Sequence, residues 1–187
     1  MTGYTFQGYR RDNGTVGVRN HVVVLPVDGI SNRVARNVSH MIQGTIDLKH
    51  PYGDLQFGKD LELFFRIMTG AGTNPNVAAV VAIGMEPDWL DRIASGIEAT
   101  GKPVARFVIG HAGDLATTEK AARKAQEFVY YASEIKTQEV NLADMFSPPS
   151  AVNRTPPTGW LPIPPSAKWW SGFWKPDPPS SSVKPRS

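Results

Sequence analysis

Several stretches of the chain combine side chains that can move protons or hold anions with a backbone constrained enough to aim them. His50-Pro51-Tyr52-Gly53 puts an imidazole in a loop stiffened by proline and turned by glycine, a setting for a catalytic base or a metal ligand. Glu86 stands between an apolar run and Pro87, where a carboxylate is either a metal ligand or the negative charge that a helix amino terminus favours. Asp28-Gly29-Ile30-Ser31-Asn32 follows another apolar run, and its backbone N–H groups suit a carboxylate or sulfonate; a glycine that only permits a tight turn is the plainer alternative. His111 and Asp114 follow a third run. The chain contains no cysteine, so thiolate metal sites and disulfides are excluded, and neither GxGxxG nor GxxxxGK[ST] is present to support a nucleotide site.

The elements around these residues read as alternating strands and helices. His21 to Val27 is a short β-branched run, Val77 to Gly84 is a second, and Val104 to Ile109 a third, each of the continuous apolar kind that is buried on both faces of a sheet. Pro26 weakens the end of the first as a central strand. After it, Ser31 or Asn32 caps a helix with Val34, Ala35, Val38, Met41 and Ile42 at helical spacing. Leu61, Phe64, Phe65 and Met68 form a second apolar stripe; Leu90, Ile93 and Ile97 a third, behind Pro87 at a helix start; and a long helix begins at Thr117 or Thr118. Parallel neighbours need crossovers and helices supply them, so the fold class is α/β, a doubly wound, mostly parallel sheet of the Rossmann or flavodoxin-like kind. In such sheets ligands sit beyond the carboxyl ends of the strands, here the turns after Val27, Gly84 and Ile109.

The 187 residues allow one domain of ordinary size plus an appendage. No run of about eighteen apolar residues is present to span a bilayer, and no apolar signal segment opens the chain, which makes a reducing cytoplasm the expected location. A net charge of +3 invites a nucleic-acid reading until the charges are located. Residues 1–146 carry 15 Lys and Arg against 16 Asp and Glu, whereas residues 147–187 carry 5 against 1, so the basicity belongs to a tail whose few spread charges make a thin nucleic-acid footprint. That tail also holds 11 of the 16 prolines and 4 of the 5 tryptophans, which divides the chain into a body, 1–146, and a Pro/Trp-rich segment, 147–187, of a composition that favours disorder.

Three motifs carry a family resemblance. GYRRDNGTVGVRN from Gly8 to Asn20, HPYG at His50 to Gly53, and Asn74-Pro75-Asn76 before VAAVVAIG resemble, in order and spacing, the catalytic module of the altronate/galactarate dehydratase family, over roughly Gly8 to Phe146. Where that family's hexarate dehydratases carry cysteines, Asp54 and Met85 stand here, and the LQFGKDLELFF and IGMEP segments are closer to its sulfo-lyase branch. The resemblance implies a lyase that removes the proton beside the carboxylate of sulfolactate and expels sulfite, leaving an enol that becomes pyruvate; a sugar-acid dehydratase is the alternative. It further implies Fe2+, a small anionic hydroxy-acid substrate and a separate small (alpha) subunit. Within the motifs, His50 is the catalytic residue and metal ligand, Glu86 a second ligand, and Arg10, Arg19, Lys59 and Asn74 bind substrate; for each cation a solvated surface charge is the alternative.

The tail departs from the family, which continues with a cysteine motif like KCGES and then a segment like SNPTVGKVVE. Back-translating Pro149 to Arg154 as CCA AGT GCG GTG AAT CGG recovers KCGES in a shifted register, and Leu161 to Ser171 likewise recovers SNPTVGKVVE. A frameshift near Ser147 is therefore expected, with catalysis impaired by truncation. The competing expectation, of another function class, is a non-catalytic α/β binding module whose Pro156-Pro157 and Pro162 to Pro165 serve as a polyproline ligand.

Overall fold

The computed structural model describes residues 4–53 and 55–145; the Pro/Trp-rich segment, and with it the expected frameshift and polyproline ligand, lies outside the described residues. The elements are β1 (Thr5–Arg10), β2 (Val16–Gly17), β3 (His21–Pro26), α1 (Asn32–Met41), β4 (Thr45–Asp47), α2 (Lys59–Thr73), β5 (Val77–Gly84), α3 (Pro87–Glu98), β6 (Val104–Val108), α4 (Ile109–Glu134), β7 (Gln138–Asn141) and α5 (Leu142–Met145). Four parallel strands form the main sheet in the order β4-β3-β5-β6. This α/β architecture is the expected fold class, and its strand order reverses between β3 and β5, the switch point at which such sheets open a crevice.

Each face of the sheet is covered because alternate residues of the buried strands point to opposite sides. Val22, Val24, Ala79, Val81 and Ile83 pack with Val34, Ala35 and Val38 of α1 and Ala121, Ala125 and Phe128 of α4. Val23, Leu25, Val80 and Ala82 pack with Phe64, Phe65 and Met68 of α2 and Leu90, Ile93 and Ile97 of α3. Pro26 is tolerated inside a central strand because β4 pairs with β3 only as far as Val24↔Asp47, so its missing N–H faces a side where the ladder has already ended.

Four features differ from the sequence expectations. β4 is a three-residue edge strand, too short to show periodicity. A separate antiparallel sheet, β2-β1-β7, is built from the GYRR hairpin and a strand near the end of the described body. The third strand expected from sequence, β6, ends at Val108, and α4 starts at Ile109 rather than at Thr117 or Thr118, with a kink at Gly113. Met41, at the end of α1, is exposed rather than packed. Among the described residues no helix is long and apolar enough to cross a membrane.

Candidate active site

At the switch point the backbone is organised by a carboxylate. Asp28, only 4% exposed, sits just beyond β3. Its Oδ1 accepts from the Ser31 amide at 2.8 Å and the Ser31 hydroxyl at 2.6 Å, and its Oδ2 accepts from the Met85 amide at 2.7 Å, just past β5. The amide that the sequence offered to a bound anion is therefore taken by the chain's own anion. Ser31 occupies the cap position of α1, but its side chain makes no cap bond and serves Asp28 instead. Gly53 crosses directly over this point: with φ +104°, it approaches so closely that a Cβ would stand 2.6 Å from Asp28 Cα and 2.7 Å from Val27 O. Only glycine meets both requirements.

His50 is held as firmly. Asn32 brackets its backbone, accepting from the His50 amide at 3.2 Å and donating to the His50 carbonyl at 2.6 Å. The ring's Nε2–H donates to the Pro26 carbonyl at 2.8 Å, because a carbonyl can only accept, and Nδ1 accepts from the Tyr52 amide at 3.2 Å. Tyr52 stacks at 6.4 Å between centroids and Phe64 meets the ring edge-on at 5.5 Å. Both nitrogens of the expected base or ligand thus have backbone partners here, and the ring extends the β4 side of the sheet by supplying an N–H to Pro26 O.

The six expected site residues separate into two groups, because residues that precede a parallel strand and residues that follow it lie at opposite ends. His50, Lys59 at the start of α2, and Glu86 at the cap position of α3 stand at the carboxyl end. Lys59 and Glu86 are exposed and their side chains make no hydrogen bond or ion pair among the described residues. Arg10, Arg19 and Asn74 stand at the amino end, so the expectation of one site shared by His50 and these arginines is corrected. Five residue steps of β3, about 16 Å of extended chain, separate the two ends. Arg10 pairs with Asp144 at 2.9 Å, the Arg19 carbonyl accepts from Arg11, and the Asn74 side chain accepts from the Asn76 amide at 2.9 Å.

Two of the three motifs thus meet in a joint rather than in a site. Asn76 Oδ1 accepts from the amides of Val18 and Arg19, Arg11 donates to the Pro75 and Arg19 carbonyls, and Gly17 passes so near Pro75 that a Cβ would fall 2.3 Å from its oxygen. Beside this joint a cavity of about 140 Å³ is lined by Arg10, Arg11, Asp12, Lys102 and Tyr131, among others. Lys102, 6% exposed, donates to the Gly72 and Asn74 carbonyls at the end of α2, the partners a cation finds at a helix carboxyl terminus. Burial, aided by the Arg11 guanidinium, pushes the Lys102 ammonium down to about 8. Burial also lowers Arg11 from the ordinary arginine value.

His50 and Glu86 do not by themselves make an iron site. Among the described residues no cluster of three or more His, Asp and Glu side chains is placed to hold a metal ion, and His50 has no free nitrogen.

Comparison with known proteins places this geometry. Residues 8–133 match the family model described as "D-galactarate dehydratase/Altronate hydrolase, second domain". The chain belongs to this family. Among curated members, it is 56% identical over 146 residues to (2R)-sulfolactate sulfo-lyase subunit beta of Chromohalobacter salexigens, covering 78% of this chain and 38% of that protein. It is 35% identical over 116 residues to altronate dehydratase of Bacillus subtilis, covering 56% of this chain and 23% of that one. With altronate dehydratase of Escherichia coli it shares 34% over 89 residues, 42% of this chain and 18% of that one. The chain therefore spans well under half the length of the dehydratase-family members it matches. No solved structure matches it.

Proposed function

We propose that this chain supplies the sheet domain of a sulfo-lyase that converts (2R)-sulfolactate to pyruvate and sulfite. One observation carries the reading: identity to the sulfo-lyase beta subunit is 56%, against 35% and 34% to the two altronate dehydratases. In the reaction the C–H bond beside the carboxylate breaks as a base takes the proton. The electron pair forms the enol double bond, the C–S bond breaks, and sulfite leaves with the bonding pair; the enol then becomes pyruvate.

The carboxyl rim is the end at which sheets of this class bind ligands, and Lys59 and Glu86 stand there with side chains uncommitted among the described residues. Lys59 is the cation for one anionic end of the substrate, and Glu86 is the carboxylate that takes the proton. His50 is a positioning residue in this reading, holding the HPYG loop over the strand ends. Fe2+ belongs to the proposal only for the whole lyase, since its ligand set is not complete in the described residues, and the step assigned to Glu86 does not pass through it. A small alpha subunit is the corresponding partner, as the relative's designation as a beta subunit implies.

The test is to supply the chain with the remaining portions of the lyase and assay sulfite and pyruvate. Glu86→Gln is expected to lower kcat at least 100-fold with KM within threefold, and Lys59→Ala to raise KM. The second reading, a sugar-acid hydro-lyase, rests on the two altronate dehydratase relatives; loss of water without sulfite would favour it.

A further inference from the structure

The cavity beside the joint, at the amino end of the sheet, is cationic, and two of its cations lack an anionic hydrogen-bond partner among the described residues. Lys102, 6% exposed, gives two of its three N–H groups to the Gly72 and Asn74 carbonyls. Arg11 donates through Nε to the next carbonyl, Pro75, at 2.8 Å and through Nη2 to that of Arg19, and its Nη1 makes no hydrogen bond among the described residues. Both line the cavity, and neutral carbonyls satisfy their donors without neutralising their charges. Burial, with Arg11 close by, brings the Lys102 pKa to about 8, and at Arg11 burial outweighs the opposing pull of Tyr131 and Asp12. Arg10, also on the lining, is already paired with Asp144. A buried and a half-buried cation held near each other beside a cavity are a seat for an anion, because burial costs a charge most when it is unpaired.

The rest of the lining selects among anions. The volume of about 140 Å³ exceeds the roughly 10–15 Å³ that one water needs and falls short of the roughly 300 Å³ at which pockets for larger ligands begin, so the occupant is a small polyatomic ion. Asp12 lines the cavity too: its carboxylate stands over the bare Cα of Gly101, where a Cβ would come 3.3 Å from Oδ2, and it accepts no hydrogen bond among the described residues. A carboxylate at an anion site repels an ion that is fully deprotonated and accepts from one that keeps an O–H. At pH 8 sulfate keeps none, and neither does a phosphate monoester, whose second proton leaves at a pKa of about 6. Inorganic phosphate keeps one, as hydrogenphosphate, and brings two negative charges to two cations. We propose that this cavity binds inorganic phosphate, with Lys102 and Arg11 on its anionic oxygens and Asp12 accepting from its P–O–H group. The site lies at the end of the sheet opposite the rim and is independent of the lyase reading.

Isothermal titration calorimetry of the full chain at pH 8 and low ionic strength tests it. Inorganic phosphate should bind at one per chain, with sulfate and methyl phosphate at least tenfold weaker, and (2R)-sulfolactate should not displace it. Thermal melts should rank the ligands in the same order, since an ion bound only to the folded chain raises Tm. Lys102→Met should weaken phosphate at least tenfold by removing a charge-assisted hydrogen bond. Asp12→Asn should bring phosphate and sulfate within threefold of each other; Asp12 is exposed, so this variant keeps the test decisive if Lys102→Met does not fold. Lys59→Ala, at the opposite end, should bind phosphate as the wild type does. Neither heat nor a rise in Tm at about 10 mM phosphate, ten times a millimolar Kd, would overturn the proposal. So would sulfate matching phosphate in the wild type, undiminished binding by a folded Lys102→Met, displacement by sulfolactate, or loss of binding in Lys59→Ala.

Discussion

Replacing Asp28 with alanine removes the acceptor for three donors at once. Two are backbone amides, Ser31 and Met85, fixed by the turn after β3 and the end of β5, so neither can turn to another partner. The third, the Ser31 hydroxyl, can rotate. A hydrogen bond to a charged acceptor contributes about 1.5–3 kcal/mol, and a buried amide left without a partner costs about 1–3 kcal/mol. Relief of the carboxylate's desolvation opposes this, but three bonds of 2.6–2.8 Å leave that term the smaller. The expected net loss for Asp28→Ala is about 3–5 kcal/mol, or roughly 10 °C in Tm for a chain of this size. Asp28→Asn, which turns an N–H toward one of the donors, should lose about 2 kcal/mol. Urea unfolding with an unchanged m-value measures both, and amide exchange reports whether Ser31 and Met85 are the groups released. If Asp28→Ala unfolds within 1 kcal/mol of wild type, the carboxylate is not the brace described here.

Three further outcomes follow from the same geometry. Gly53→Ala should destabilise the fold by about 2–4 kcal/mol, read by urea unfolding, because it imposes a left-handed residue and a clash with backbone that cannot retreat. For Lys102, the folded value of about 8 lies below the unfolded 10.5, so between these pH values the unfolded chain binds the extra proton. Stability from this group is full above 10.5 and is lost as pH falls through 8, with a slope of at most about 1.4 kcal/mol per pH unit; Lys102→Met should flatten that part of a stability–pH curve relative to wild type. In steady-state assays of the assembled lyase, Arg10→Ala and Arg19→Ala should keep kcat/KM within about threefold, whereas Lys59→Ala and Glu86→Gln should lower it at least tenfold, because the first pair lies at the end of the sheet away from the rim.

The parallel core was legible because Val77 to Gly84 and the run from His21 are buried on both faces and so are continuously apolar. The antiparallel sheet was not: Thr5–Arg10 mixes exposed, half-buried and buried positions, and its partner Gln138–Asn141 is mostly exposed, so neither shows clean alternation. Position along the chain was the neglected signal at the site. Arg19 and Asn74 precede parallel strands, and His50, Lys59 and Glu86 follow them, which already assigns these five to opposite ends of the sheet; Arg10, the last residue of β1, carried no such signal. Asp28 was visible only as a turn residue, although an aspartate three positions before a serine at a helix start is the spacing of a side-chain cap. The occupation of both His50 nitrogens had no sequence signal, since Pro26 O and the Tyr52 amide meet the ring only through the fold.

The most direct measurement is product analysis of the assembled lyase, this chain with the remaining domains and the small subunit, offered (2R)-sulfolactate and altronate side by side. Sulfite and pyruvate in equal amounts from sulfolactate, with altronate left unchanged, is the predicted result; a dehydrated keto sugar acid from altronate and no sulfite would contradict it.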